Sequence, residues 1–320
     1  MDTDALPVAL TRDRLAGAGL WDGPWPAEDG GPRRTQQPSA LPGLEISPGE
    51  RLEVTAARDA FATTMVVLRD PGEVFVLRHT LGRRPLLDPV VAWVERIDPA
   101  TLETLSRSPD LPSGPFWPGG MAAHANGSLH VVTGNHCHRL SPELELLGTR
   151  RLPGPRPYNS FVVLPDGTLA TKDFDRDLRA PASLVLLDPD TLERRCEDLP
   201  LGEPAIARLT ADGDTIYVVG ARTAFRVQWD GTSLTRDTDW GGPYVGAGQS
   251  YGWDPVVAGG HLWFMDNGAH EFVTTMQGAG VAPGPVHLIR MSLTDRDDLE
   301  QVEVSGIARG TVTDPPLYDE

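Results

Sequence analysis

Four side chains, Asn159, Asp173, Asp266 and Asn267, stand at the ends of short apolar runs and carry oxygens able to hold a cation or handle a proton. Residues 158–175 show the arrangement most clearly: Y-N-S-F-V-V-L-P-D-G-T-L-A-T-K-D-F-D. The apolar run 161–164 meets a Pro165-Asp166-Gly167 turn and returns through 168–174, the pattern of a β-hairpin whose Asp-Gly supplies the positive-φ turn. Asn159 lies seven residues before Asp166 and Asp173 seven after it, so folding at the turn brings both to the open end. Oxygen donors of this kind suit a hard cation such as Ca²⁺ or another divalent ion, and Asn159, Asp254, Asp266 and Asn267 form the candidate ligand set. An Asp at a strand end also has a plainer use, the capping of a turn.

The hairpin that positions these groups recurs. Its turn glycines fall at Gly72, Gly127, Gly167, Gly213 and Gly260, spaced by 55, 40, 46 and 47 residues. A second turn runs in phase with the first, marked by Asp98, Ser141, Asp188 and Asp230 at spacings of 43, 47 and 42. Two hairpins per repeat make four strands per repeat, which predicts an all-β fold, a β-propeller of four-stranded blades. Five blades are visible from residue 51 onward, and a ring of six is expected, with 310–320 beginning a blade that this chain leaves incomplete. Residues 1–50, broken by Gly-Pro and Pro-rich stretches, are expected to be an irregular arm, and 51–320 the propeller domain.

The open ends of the first hairpins collect on one face of such a ring. Counting from each turn places His79, His136, Asn159, Asp173, Arg222, Trp253, Asp254, Asp266 and Asn267 there. His79, His136, Arg222 and Trp253 are candidates for binding a small-molecule substrate. His270, three residues after Asn267, and Asp173 are candidates for proton transfer. Lys172 is expected to point away, because neighbours on a strand alternate faces. His136-Cys137-His138 could hold a transition metal, but His136 at the channel mouth and His138 on an ordinary packed strand is the favoured account.

The chain has 320 residues and a net charge of −17, from 45 acids against 28 bases. That balance argues against nucleic acid and anionic membranes as partners. Two cysteines make no disulfide framework, and the acidic amino terminus does not resemble a secretory leader, so a cytoplasmic protein is expected.

The phrase P-Y-N-S-F-V-V-L-P-D-G-T-L-A-T-K-D resembles the P-N-G-x-x-x-S-P-D-G phrase of the gluconolactonase, senescence-marker and strictosidine-synthase-like propellers. Residues 259–268, G-G-H-L-W-F-M-D-N-G, resemble that superfamily's G-x-L-W-V-A segment. The resemblance implies a six-bladed ring with calcium on its axis, Asn159 as a ligand, and hydrolysis or lyase chemistry on a lactone- or ester-like substrate. Ser160 stands where the family phrase has Gly, and the family's leading Glu has no counterpart before Thr64. Two other functions fit the same fold: a non-catalytic scaffold presenting a face to a protein partner, and a metal-free condensing enzyme.

Overall fold

All five turn glycines adopt positive φ, between 59° and 87°, so each chain reversal occurs where the Asp-Gly, Asn-Gly, Pro-Gly and Gly-Gly pairs allow it. The computed structural model describes residues 19–36, 47–58, 63–80, 90–115, 117, 119–175, 178–247, 249–266, 268 and 285–304. Asn267, His270 and 310–320 lie outside the described residues.

The described strands form five antiparallel sheets, each following a four-strand meander. The first contains β1 (Thr63–Leu68), β2 (Val74–His79), β3 (Val90–Ile97) and β4 (Thr104–Arg107), with β5 (Leu111–Gly114) also paired to β3. The second contains β6 (Gly120–Ala123), β7 (Leu129–Thr133), β8 (His136–Leu140) and β9 (Leu146–Arg151). The third contains β10 (Tyr158–Val163), β11 (Leu169–Asp173), β12 (Ser183–Leu187) and β13 (Leu199–Pro200). The fourth contains β14 (Thr210–Asp212), β15 (Thr215–Val219), β16 (Thr223–Trp229) and β17 (Leu234–Arg236), with β18 (Gly242–Pro243) on β16. The fifth contains β19 (Val256–Ala258), β20 (His261–Met265), β21 (His287–Ser292) and β22 (Leu299–Glu303). First strands meet first strands, β1 with β6, β6 with β10 and β14 with β19, as in blades arranged about an axis.

The second turn of each repeat is built by a side chain. Asp98, Asp188 and Asp230 each accept two backbone N–H bonds from the following residues, and Ser141 does the same through its hydroxyl. These backbone donors, those of Thr101 and Ser233 foremost, hold the exposed Asp98 and Asp230 carboxyls below the usual range.

Apolar faces of adjacent sheets pack into four clusters. Phe75 and Leu77 meet Met121 and Val131, Val132 meets Phe161 and Val185, Leu184 and Leu186 meet Ile216 and Phe225, and Val219 meets Phe264 and Ile289. Each burial of this kind contributes roughly 25 cal/mol per Å² of apolar surface. Among the described residues no such cluster joins the fifth sheet to the first. The described residues leave that seam open, with Val66 of β1 42% exposed and Leu288 of β21 37% exposed.

Residues 19–36 run across the sheets. Leu20 and Ala27 bridge to His124 and Ala122 of the second blade, and Trp25 bridges to Leu68 of the first. Ser160 of β10 donates to Glu28. Ala211 N donates to Pro32 O at 2.8 Å and Val257 N to Arg33 O at 3.0 Å, reaching the fourth and fifth blades. Arg34, with its side chain 2% exposed, donates to Leu209 O and forms ion pairs with Glu28 at 3.0 Å and Asp29 at 2.8 Å.

Candidate functional site

The bulge in β10 decides what faces what at the open end of the third blade. Tyr158 pairs with Asp173 and Phe161 with Thr171, so Asn159 and Ser160 together oppose Lys172. Ser160 adopts φ 73°, a conformation normally left to glycine, and Thr171 Oγ1 secures it by donating to Ser160 O at 2.7 Å. Lys172 therefore turns inward, a correction to its expected outward orientation. It is fully buried, and its Nζ donates to Ala205 O at 2.5 Å and Asn159 Oδ1 at 3.2 Å. Asn159 Nδ2 donates to Ile206 O. Burial pulls Lys172 down to about 7, against the opposing pull of Asp254 and Asp173.

The carboxylates beside it have partners. Asp254 accepts from Arg208 N at 2.5 Å and pairs with Arg208 Nη1 at 2.9 Å, while Arg208 Nε reaches Glu28 at 3.1 Å. Asp173 accepts from Ser183 N at 2.6 Å and pairs with Arg156 at 2.5 Å. Asp266 accepts from His287 N at 2.9 Å and from Gly268 N at 3.0 Å, and pairs with His287 Nδ1 at 3.0 Å. Asp173 and Asp266 thus occupy equivalent places, each bonding the N–H that begins its blade's third strand.

The described members of this donor set do not fit a hard divalent cation. The Asn159 oxygen faces an ammonium group, Asp254 is held by a guanidinium and Asp266 by an imidazole. Among the described residues no group of three or more His, Cys, Asp and Glu side chains is placed to hold a metal. Of the His-x-His pair, His138 is engaged, bonding Thr149 and Pro112 O through its two nitrogens, while the two rings stack at 6.0 Å.

Of the other predicted residues, His79 is buried at the end of β2, where desolvation and Arg78 push it down to about 4. His136 is half-buried and Arg222 is exposed, with its backbone N–H on Glu203. Trp253 and Asp254 do converge on a cavity.

That cavity, of about 510 Å³, lies in the open seam. Trp25, Trp253, Trp263 and Phe264 line it with Met65, Val66, Met265 and Leu288, and its charged lining is Glu28, Asp29, Arg34, Arg208 and Asp254. Trp25, Glu28, Asp29 and Arg34 come from the segment expected only to be an irregular arm. The available signals there were a tryptophan set between Pro24 and Pro26 and the Arg33-Arg34 pair.

No protein-family model matches the chain, and no curated protein matches it in sequence. Among solved structures, a quinohemoprotein alcohol dehydrogenase from Comamonas testosteroni aligns over 94% of this chain and 51% of its own, at 10% identity and TM-score 0.58. Quinohemoprotein alcohol dehydrogenase ADHIIG from Pseudomonas putida HK5 aligns over 95% and 50%, at 8% identity and TM-score 0.55. The fold is that of a β-propeller. The chain spans about half the length of these two dehydrogenases, and likeness at such identity reaches the fold alone. A virginiamycin B lyase from Staphylococcus aureus superposes more loosely, at 12% identity over 78% of this chain and 86% of its own, with TM-score 0.46.

Proposed function

We propose that this propeller binds a small molecule in the seam cavity between its fifth and first blades. One observation carries the reading: an aromatic-walled space of about 510 Å³ whose charged groups are already paired with one another. Its size and its mix of apolar wall and few polar groups are those of small-molecule sites. Trp25, Glu28, Asp29, Arg34 and Gln36 supply one wall, so the ligand sits beside the crossing segment.

The lactonase-like reading draws support from the 158–167 phrase. Ser160, standing where the family phrase has Gly, adopts a positive φ of the kind glycine favours. Calcium-dependent hydrolysis is nevertheless not the function favoured, because the donors that would hold the ion are engaged by Lys172, Arg208 and His287. The exposed apolar side chains of Val66 and Leu288 in the same seam support the scaffold alternative.

Ligand-observed NMR with a library of small aromatic and aliphatic fragments tests the proposal. Several fragments should bind saturably, compete with one another, and lose binding in Val66→Arg, whose exposed position tolerates a long side chain. Binding that survives both Val66→Arg and Trp263→Ala would move the site elsewhere. No saturable binding would favour a protein partner.

A further inference from the structure

Tryptophan faces in this protein commonly carry a cation. Arg69 lies over Trp21 at 4.4 Å, Arg107 over Trp93 at 4.7 Å, Arg226 over Trp240 at 5.1 Å and Arg195 over Trp229 at 5.7 Å. Two cavity tryptophans differ. Among the described residues neither Trp25 nor Trp263 has a guanidinium or ammonium stacked on its ring; Trp263 meets only the tilted ring of His261 at 5.9 Å. Both rings line the seam cavity.

The charge around them has a sign. Glu28, Asp29 and Asp254 set three carboxylates against the two guanidiniums of Arg34 and Arg208, leaving one negative charge. Arg34 cannot turn toward a ligand without abandoning Leu209 O, Ser160 and both arm carboxylates. Asp29, at 25%, has the most exposed side chain of the three acids. Lys172, within the field of Asp254, is pulled down to about 7 by burial and does not fully restore neutrality near that pH. The protein's −17 net charge adds a long-range bias toward cations.

We infer that the seam cavity takes a ligand bearing an alkylated ammonium group, with Trp25 and Trp263 receiving the cation and Asp29 completing its charge. The inference rests on the seam cavity being a ligand site. An alkylated ammonium suits it better than a primary amine. The carboxylate oxygens already accept from Arg34, Arg208 and Ser160, so three further N–H donors would compete for occupied acceptors. A fully alkylated head needs aromatic faces and a negative potential, and no hydrogen bonds.

Choline and its neutral carbon isostere, 3,3-dimethylbutan-1-ol, provide the probes, titrated by NMR into the full chain. Choline should bind at least about fivefold more tightly than the alcohol, the factor expected from one to two cation–π contacts. Trp25→Leu and Trp263→Leu should each weaken choline by about fivefold and leave the alcohol within about twofold. If Trp25→Leu fails to fold, Asp29→Asn provides the second reading and should weaken choline alone. Equal binding of the two probes would overturn the inference while leaving the cavity as a ligand site. So would neutral fragments binding where choline does not. Absence of binding by choline, the alcohol and every fragment would overturn the cavity reading and this inference together.

Discussion

Lys172 carries its ammonium into a place with no exposed surface, and burial lowers its proton affinity to about 7 from an ordinary 10.5. Between those two values the unfolded chain holds the proton more firmly than the folded one, so unfolding free energy rises with pH across the window. The interaction is worth on the order of 1.4 kcal/mol for each unit of displacement. Melting temperatures of wild type and Lys172→Met, measured from pH 6 to pH 10.5, should therefore diverge in favour of wild type as pH rises. A constant difference would show that the lysine's proton is not linked to folding. Strand alternation predicts that Lys172 points away, but it does not tell which side of the strand faces Asn159. The inserted residue at the Ser160 bulge changes the local register, and Ser is a poor advertisement for a positive φ. Partnership was illegible for a different reason: Arg208, Arg156 and His287 lie 46, 17 and 21 residues from the carboxylates they hold, and no local pattern joins them.

At the scale of elements, the second turn of the repeat sets a leucine in left-handed backbone: Leu102 at φ 61°, Leu144 at 70° and Leu192 at 60°. Leu144 and Leu192 are buried, whereas Leu102 is half-buried. Relief of the backbone penalty is worth about 1–2 kcal/mol, and loss of a buried leucine costs about 2–5 kcal/mol. Leu102→Gly should be near neutral in urea denaturation and Leu192→Gly clearly destabilising; equal losses would mean that burial does not decide between the two positions. These turns were legible because Asp98, Asp188 and Asp230 build them locally. The crossing segment was not, because its contacts lie far away in sequence. Arg34→Ala should leave Asp29 without its counter-charge and Glu28 with Arg208 alone, and cost about 3–5 kcal/mol in the same assay. A loss under about 1 kcal/mol would reduce the segment to a passive lining.

Blade-to-blade contact defines the whole molecule, and histidines help to make it. His124 and His130 reach across to Gly167 O and Pro189 O of the third blade, while His138 reaches back to Pro112 O near the first. Desolvation pushes His130 down to about 3 and His138 down to about 4. The unfolded chain takes up these protons near 6.5 and the folded one only well below, so stability is full above 6.5 and falls as pH drops toward 4. Thermal midpoints should decline over that interval, and the decline should be shallower in His130→Gln; parallel curves would exclude His130 as a source of acid sensitivity. The periodic glycines made five blades readable, since each turn is a local requirement. How the fifth blade meets the first was unreadable, because the segment lining that boundary lies more than two hundred residues before the fifth blade, Arg33 O accepting from Val257 N. Toward the fourth blade, Arg33 pairs with Asp212 and Arg34 donates to Leu209, separations of 179 and 175 residues. During synthesis the crossing segment leaves the ribosome before all of its strand partners, and Val257 is among the last of them to emerge. Its first part can pair with Leu68 and Ala122 as soon as two blades exist, but Pro32, Arg33 and Arg34 must wait until the fourth blade and the start of the fifth have formed. Its docking is a closing event in folding, a long-range step that intermediates lacking the fifth blade cannot complete.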